Sequence, residues 1–131
     1  MNAGASLAPT LIRSPEDPMP RDIQAQIWAG ALVRRAQIGG AFATIVHRGD
    51  ADRGDVLVKV TSARGRAKLY APAFNPEGPT EFEALPAGAA DSAEADVDAL
   101  IAKRLKSDRD LWVIEIEDRQ GRHFLTEPVR D

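Results

Sequence analysis

Alternation of apolar and polar residues is the feature that most constrains the fold of this chain. Residues 111–117, LWVIEIE, show it most clearly, with one tryptophan and two isoleucines on one side and both glutamates on the other. Residues 41–48, 56–62 and 67–73 have the same period of two. Successive side chains of a strand point to opposite faces, so these four segments predict β-strands.

The links between these strands are short and rich in turn residues. GDADRGD, residues 49–55, and ARGR, residues 63–66, are typical of the connections in an antiparallel meander. Residues 74–91 are rich in proline and glycine and predict a loop, with a short strand at residues 80–84. A last short strand is expected at residues 123–125.

Two further segments carry the three-to-four-residue spacing of helices. The first runs from Asp22, as N-cap, to Gln37, and two glycines follow it as a helix exit. The second begins with Asp91 as N-cap and Glu94 three residues later, as in a capping box. The order α-β-β-β-(β)-α-β-β predicts an α+β fold, with an antiparallel sheet of about five strands and both helices packed on one face.

The first predicted helix has two apolar stripes. One includes Trp28, and the other contains Ile23, Ile27 and Ala31. A helix that covers a sheet needs only one stripe, so the second predicts a contact with another element or molecule. Gly30 would let a second backbone approach closely. We therefore expect an interface around Ile23, Ile27, Trp28 and Ala31, occupied either by the second helix or by a second copy in a homodimer.

Composition limits the class of protein. Residues 1–20 contain four prolines and predict a disordered arm, or an annotation artefact if translation starts at Met19 rather than Met1; residues 21–131 form a single domain. The chain has no cysteine, which excludes disulfides, thiolate metal ligands and cysteine nucleophiles. No secretory signal or run of about 20 apolar residues occurs, so we expect a cytoplasmic protein with no membrane partner.

Charge is distributed unevenly along the chain. Residues 21–72 carry a net charge of +5, residues 73–101 carry −7, and residues 102–131 are neutral. If the basic part forms one surface, it could bind an anion despite the acidic total. The alternative is that the acidic segment packs beside the basic one and neutralises it. The candidate anion-binding residues are Arg48, Arg53, Arg64, Arg66 and Lys68.

The titratable residues form no recognised catalytic pattern. His47, Asp50 and His123 are a candidate polar site, because histidine near a carboxylate can transfer a proton. A hairpin rim explains the same residues. Two histidines without cysteine give no metal-site spacing, and no nucleotide-binding or nucleophile motif is present, so the sequence predicts no metal and no cofactor. This favours a protein that is not an enzyme.

Several stretches carry a family resemblance. They are IWAGALVRRAQIGGAF, HRGDADRGDVLVKV, KLYAP and DLWVIEIEDRQGRHFLTEP, within residues 19–128. In these the chain resembles DUF family 1491, an alphaproteobacterial family of uncharacterised proteins. The resemblance implies a bacterial cytoplasmic protein. It implies no activity, cofactor or catalytic residue.

Three functional hypotheses remain at this stage. The leading one is a small non-enzymatic binding or protein-interaction module that uses the basic rim of the sheet or the two-striped first helix to bind an unknown protein partner. The second is a small enzyme that acts on an anionic substrate, which requires His123 near a carboxylate and Arg48. The third is weak nucleic-acid binding through the basic hairpin, residues 63–68. Only one aromatic residue, Tyr70, lies nearby, which disfavours nucleic acid.

Overall fold

The computed structural model describes residues 24–63, 65–73, 75–77, 80–85 and 91–130. These residues form two helices and seven strands. The helices are α1 (Ala25–Ile38) and α2 (Glu94–Ser107). The strands are β1 (Phe42–His47), β2 (Val56–Ala63), β3 (Arg66–Ala73), β4 (Glu81–Leu85), β5 (Ser92–Ala93), β6 (Trp112–Glu117) and β7 (Val129–Arg130).

The strands form one mixed sheet in the order β1-β6-β2-β3-β4-β7, with β5 paired to β3. β6 is parallel to β2 and β7 is parallel to β4, while the other pairs are antiparallel. The class α+β is therefore correct, but the prediction of an antiparallel sheet of about five strands is wrong. The reason is α2, which carries the chain back across the sheet so that β6 inserts between β1 and β2 with the direction of β2.

The two helices lie on opposite faces of the sheet, which corrects the prediction that both pack on one face. Val58 belongs to the buried cluster that contains Leu32 of α1. Its neighbour Leu57 belongs to a second cluster with Val97 of α2. β2 is buried on both sides, which explains its nearly continuous apolar sequence. We refer to the two sides of the sheet as the α1 face and the α2 face.

Both helices begin without a side-chain cap. Neighbouring loops supply backbone acceptors instead: Ala25 N donates to Asp52 O at 3.3 Å, and Glu94 N donates to Gly65 O at 2.8 Å. The predicted capping box at Asp91 is therefore wrong, because α2 starts two residues later and a loop carbonyl satisfies its first N–H group.

The remaining sequence predictions have mixed outcomes. The short strand near residues 80–84 is confirmed as β4. The strand at residues 123–125 is wrong: this segment is irregular, with Phe124 at a φ of 60°, and the last strand is β7. The predicted cap Asp22 and the arm of residues 1–20 lie outside the described residues.

Candidate functional site

The α2 face of β1 is uncovered in the described structure. α2 packs on β2, β3 and β5, whereas α1 packs on β1 and β6 from the opposite face. Phe42 and Val46 of β1 are consequently 80% and 60% exposed. Phe42 and Thr44 pair with Glu117 and Glu115 of β6, so these side chains form one continuous surface. We call Phe42, Thr44, Glu115 and Glu117 the open sheet face.

Two adjacent depressions mark this surface and share Phe42 and Glu117. The smaller, of about 290 Å³, lies over β1 and β6 and is lined by Thr44 and Glu115 in addition. The larger, of about 610 Å³, extends to the end of β2 and to the turn after β6. The larger depression lies at the end of the sheet where β2 and β6 both finish, and Asp118, Arg119 and Arg122 line it beside Glu117. Only the smaller depression combines the exposed ring of Phe42 with carboxylates and no basic residue.

Lys59 lies at the border between this surface and α2, and its ammonium group is held by three carboxylates. Its Nζ is 2.7 Å from both Glu94 Oε2 and Asp98 Oδ1 of α2, and 2.9 Å from Glu115 Oε2 of β6. The Lys59 side chain is only 7% exposed. Burial opposes its charged form, but hydrogen bonds to the three carboxylates outweigh that effect and raise the pKa of Lys59.

This cluster has two consequences for binding. One ammonium and three carboxylates leave an excess of two negative charges beside the open sheet face. The three carboxylates also occupy the hydrogen-bond donors of the Lys59 ammonium group. Lys59 therefore does not bind an external anion, although it lies in the basic part of the sequence. Glu115, which the sequence alone suggests is solvated, instead helps to dock α2.

The turn after β6 is fixed by Asp118. Its carboxylate accepts hydrogen bonds from Arg122 Nε at 2.9 Å and Nη2 at 2.7 Å, and from the N–H groups of Gln120 and Arg122. The Arg122 guanidinium and these N–H groups lower the pKa of Asp118 to about 2. Arg122 Nη2 also donates to Gly39 O at 3.1 Å, which ties the turn to the end of α1.

The predicted anion-binding residues are divided between the two ends of β2. Arg48 and Arg53 lie in the link before β2, and Arg66 and Lys68 lie on β3 beside the far end of β2. Eight residues of strand separate these ends, a length of roughly 25 Å. Arg64 lies outside the described residues.

Local contacts occupy two of these arginines. The Arg48 guanidinium lies 5.8 Å from the centroid of the Trp112 ring. Arg66 Nη2 donates to Asp91 O at 2.9 Å. Among the described residues, none of the four basic side chains is in an ion pair. They remain available to solvent, but the structure does not gather them into one patch.

The predicted polar site is also dispersed. His47 Nδ1 lies 2.8 Å from Leu111 O at the end of β1, and Asp50 accepts two N–H groups of its own turn, which lower its pKa. His123 packs edge-on against Tyr70 of β3, with ring centroids 5.0 Å apart. β6 and β2 lie between β1 and β3, so the two histidines belong to different parts of the sheet.

The predicted interface on α1 is changed by the burial of Trp28. Its Nε1 donates to Glu127 Oε2 at 2.7 Å, and its ring stacks on Phe82 with centroids 5.5 Å apart. Trp28 is thus a core residue. Ile27 is half exposed and Ala31 is partly buried against the core, while Ile23 lies outside the described residues.

Phe42 and Val46 are the surface residues that the sequence reasoning missed. A signal for them was present, because residues 41–46 include apolar residues at alternate and at intervening positions: Ala43 and Ile45 pack against the α1 core, and Phe42 faces the other way. A strand that is apolar on both faces packs on two sides, and the described residues cover only the α1 side of β1.

Membrane-spanning helices and metal-binding clusters are both absent from the described residues. Neither helix there is long and apolar enough to cross a membrane. The same residues bring together no group of three histidine or carboxylate side chains that could hold a metal ion.

The chain is similar to proteins of one family. A family model described as "Protein of unknown function (DUF1491)" matches residues 23–126. A crystal structure of a DUF1491 family protein from Caulobacter crescentus CB15 is 45% identical, with a TM-score of 0.74, over 82% of this chain and 99% of that one. An NMR structure of a DUF1491 family protein from the same organism is 44% identical, with a TM-score of 0.75, over 86% and 100%.

A more distant structure has the same fold. The solution structure of protein Atu0922 from A. tumefaciens is 27% identical, with a TM-score of 0.70, over 84% of this chain and 98% of that one. Both source organisms are alphaproteobacteria. No curated protein shows significant similarity to the chain.

Proposed function

Because the chain belongs to the DUF1491 family, whose description assigns no activity, we propose a function from the surface that its fold leaves open. We infer that the protein is a non-enzymatic interaction module. Its open sheet face binds a partner segment that carries apolar side chains beside lysine or arginine. The observation that carries this proposal is the exposure of Phe42 in an acidic setting.

Apolar area supports the proposal first. Phe42 and Val46 of β1 are both mostly exposed. Burying a large apolar side chain contributes about 1.5–3 kcal/mol, so leaving both in water forgoes a substantial gain. Exposed apolar patches bordered by polar groups are typical of interaction sites.

Charge supports the chemistry of the partner. Glu117 is exposed next to Phe42, and the Lys59 cluster adds an excess of negative charge at the other border. The smaller depression, which Glu115 and Glu117 line without a basic residue, attracts basic segments and repels phosphate groups, whereas Arg119 and Arg122 balance the carboxylates of the larger one. This is the reverse of the anion-binding surface predicted from the sequence, and it favours a protein partner over nucleic acid.

The enzyme hypothesis receives no comparable support. It required His123 near a carboxylate and near Arg48. His123 lies against Tyr70 on β3, whereas Arg48 lies on Trp112 at the start of β6. A proton-transfer site needs its groups within hydrogen-bond reach of one reacting atom.

The test uses two designed amphipathic peptides of equal length and apolar pattern, one with leucine and lysine and the other with leucine and glutamate. Titration of the ¹⁵N-labelled protein should show shifts at Phe42, Thr44 and Glu117 with the lysine peptide only. Phe42→Ser should weaken this binding about tenfold, since hot-spot aromatics contribute at least 1–2 kcal/mol. Ile38→Ser is the matched control, because Ile38 is 77% exposed but lies at the end of α1.

Binding of the glutamate peptide with equal affinity would contradict the acidic character of the site. Equal losses in F42S and I38S would show that the peptide binds apolar residues in general, and the proposal would then fail.

A further inference from the structure

We propose that a second copy of this chain pairs along the β1 edge to form a two-fold symmetric dimer. The interface consists of the free edge of β1 and one face of α1, formed by Gln26, Gly30, Val33 and Gln37. We call these residues together the α1–β1 edge. The dimer uses the backbone edge of β1 together with α1, whereas the proposed function uses side chains on the α2 face of β1, so either can hold without the other.

The β1 edge has only partial protection against pairing with another strand: a register shift lies near its end, and Gln37 Nε2 donates to one of its carbonyl groups, Ala43 O. β1 is the terminal strand of the sheet, and no described strand pairs with its outer side. Residues 42–46 contain no charged residue and no proline. Natural proteins usually protect an exposed edge with a charge, a proline or a bulge. A register shift between Ile45 and His47 interrupts only the end of β1, which leaves Phe42–Ile45 regular.

Hydrogen bonds define which face of α1 lies above this edge. Gln37 Nε2 donates to Ala43 O at 3.3 Å, so Gln37 is on the β1 side of the helix. Arg35 Nε donates to Phe124 O at 2.7 Å and is therefore on the opposite side, toward the C-terminal segment. Residues spaced by three and four share a helix face. Gln26, Gly30 and Val33 therefore lie in line with Gln37 above the β1 edge.

Gly30 makes this helix face suitable for a second helix. A Cβ atom at Gly30 would meet no other atom within 4 Å, so the space beside it is open. Pairing of two β1 strands places their backbones about 4.8 Å apart and brings the two α1 helices together above the strands. Helices pack at 8–10 Å depending on the side chains between them. A glycine at the contact gives the closest approach.

The α1–β1 edge contains no charged residue, which makes it compatible with the same surface of a second copy. Charged residues make up 28% of the chain, yet none occurs among Gln26, Gly30, Val33, Gln37 and residues 42–46. In an isologous interface each residue meets the same patch of the partner, so any charge would meet its own sign. Charged side chains border the patch: Arg34 lies on the outer face of α1, Arg48 lies beyond the end of β1, and Asp52 lies in the loop whose carbonyls accept the N–H groups of Ala25 and Gln26. An uncharged edge thus fits a second copy better than a charged partner.

Sedimentation equilibrium from roughly 1 µM to roughly 500 µM protein tests the dimer, a range that spans weak and moderate affinities. A concentration-dependent dimer is expected. Thr44→Lys places like charges beside each other across the paired strands, and Gly30→Lys does the same between the helices. Each should raise the dimer dissociation constant at least about tenfold. Ser107→Lys, at the exposed end of α2, should leave it unchanged.

Gly30→Lys also guards against a folding artefact, since lysine is a better helix former than glycine. A monomer at every concentration overturns the proposal. So does a dimer that resists both T44K and G30K, or one that dissociates only in Ile27→Ser, which would assign the interface to the outer stripe of α1. Binding of the lysine peptide by G30K, whose change lies on the α1 face, tests the proposed function separately.

Discussion

At the scale of single residues, ion pairs and hydrogen bonds of charged groups connect the elements of this protein. Lys59 joins α2 to β6 through carboxylates of both, and Arg122 joins the turn after β6 to the end of α1. A buried charge is costly unless its partners surround it, which is the arrangement observed for Lys59. Removal of one member therefore leaves the others desolvated and unpaired.

Lys59→Met should lower the free energy of unfolding by about 2–3 kcal/mol, because three carboxylates would then repel one another with no ammonium between them. Urea unfolding at neutral pH measures this, with Lys103→Met of α2 as an exposed lysine control. The pKa of Lys59 is raised in the folded state, so its stabilisation is complete below the unfolded pKa of about 10.4. The difference between wild type and K59M should therefore persist at neutral pH and shrink as the pH rises above about 10. A difference no larger than that of K103M would contradict the cluster.

Asp118→Asn tests the interaction of Asp118 with Arg122 in the turn after β6. The pKa of Asp118 is lowered to about 2 in the folded protein, below its unfolded value of about 3.9. Its contribution is therefore present above about pH 4 and is lost as the pH falls toward 2. The variant should cost about 1–2 kcal/mol at neutral pH, the value of charge-assisted hydrogen bonds, and much less at pH 2. Asp110→Asn at the exposed start of β6 is the control, and a pH-independent loss in D118N would exclude this explanation.

At the scale of elements, the link between β1 and β2 decides how β6 enters the sheet. Gly49 and Gly54 both pack against the backbone carbonyl of Asp110, where a Cβ atom would overlap it. Trp112 Nε1 donates to Asp50 O at 2.7 Å from the other side. The sequence predicts this polar link to be a simple hairpin loop. In the structure it is the surface on which the start of β6 packs.

A pair of glycine substitutions separates close packing from helix propensity. Gly49→Ala should destabilise the protein by about 2 kcal/mol or more, because the added methyl group meets a fixed backbone atom. Gly30→Ala should stabilise it by about 0.5–1 kcal/mol, since Gly30 is inside α1 with open space around it. Thermal unfolding at low protein concentration compares the two. Similar effects of both substitutions would contradict the packing of the link on Asp110.

At the scale of the whole molecule, seven strands are covered unequally. α1 and the C-terminal segment cover one face, whereas α2 covers only part of the other, so that no described residue covers the open sheet face or pairs with the β1 edge. The two proposals use these two surfaces. A dimer through β1 would place two open sheet faces side by side, each with its own Phe42 and Glu117.

The sequence by itself determined the local structure. Alternation located β1, β2, β3, β4 and β6, the spacing of apolar residues located both helices, and paired glycines predicted the exit from α1, where Gly40 has a φ of 95°. These properties depend on neighbouring residues in the chain, so they can be read from the order of side chains.

Only the tertiary structure decided the sheet order, the faces that the helices cover and the chemistry of the surface. β6 was expected beside its neighbours in sequence and instead lies between β1 and β2. Lys59 forms its ion pairs with carboxylates of α2 and β6 that are distant from it in the sequence. The sequence suggested that the basic residues form one patch, but the length of β2 separates Arg48 from Arg66. Contacts between distant segments depend on which strands pair, and no local pattern specifies that choice.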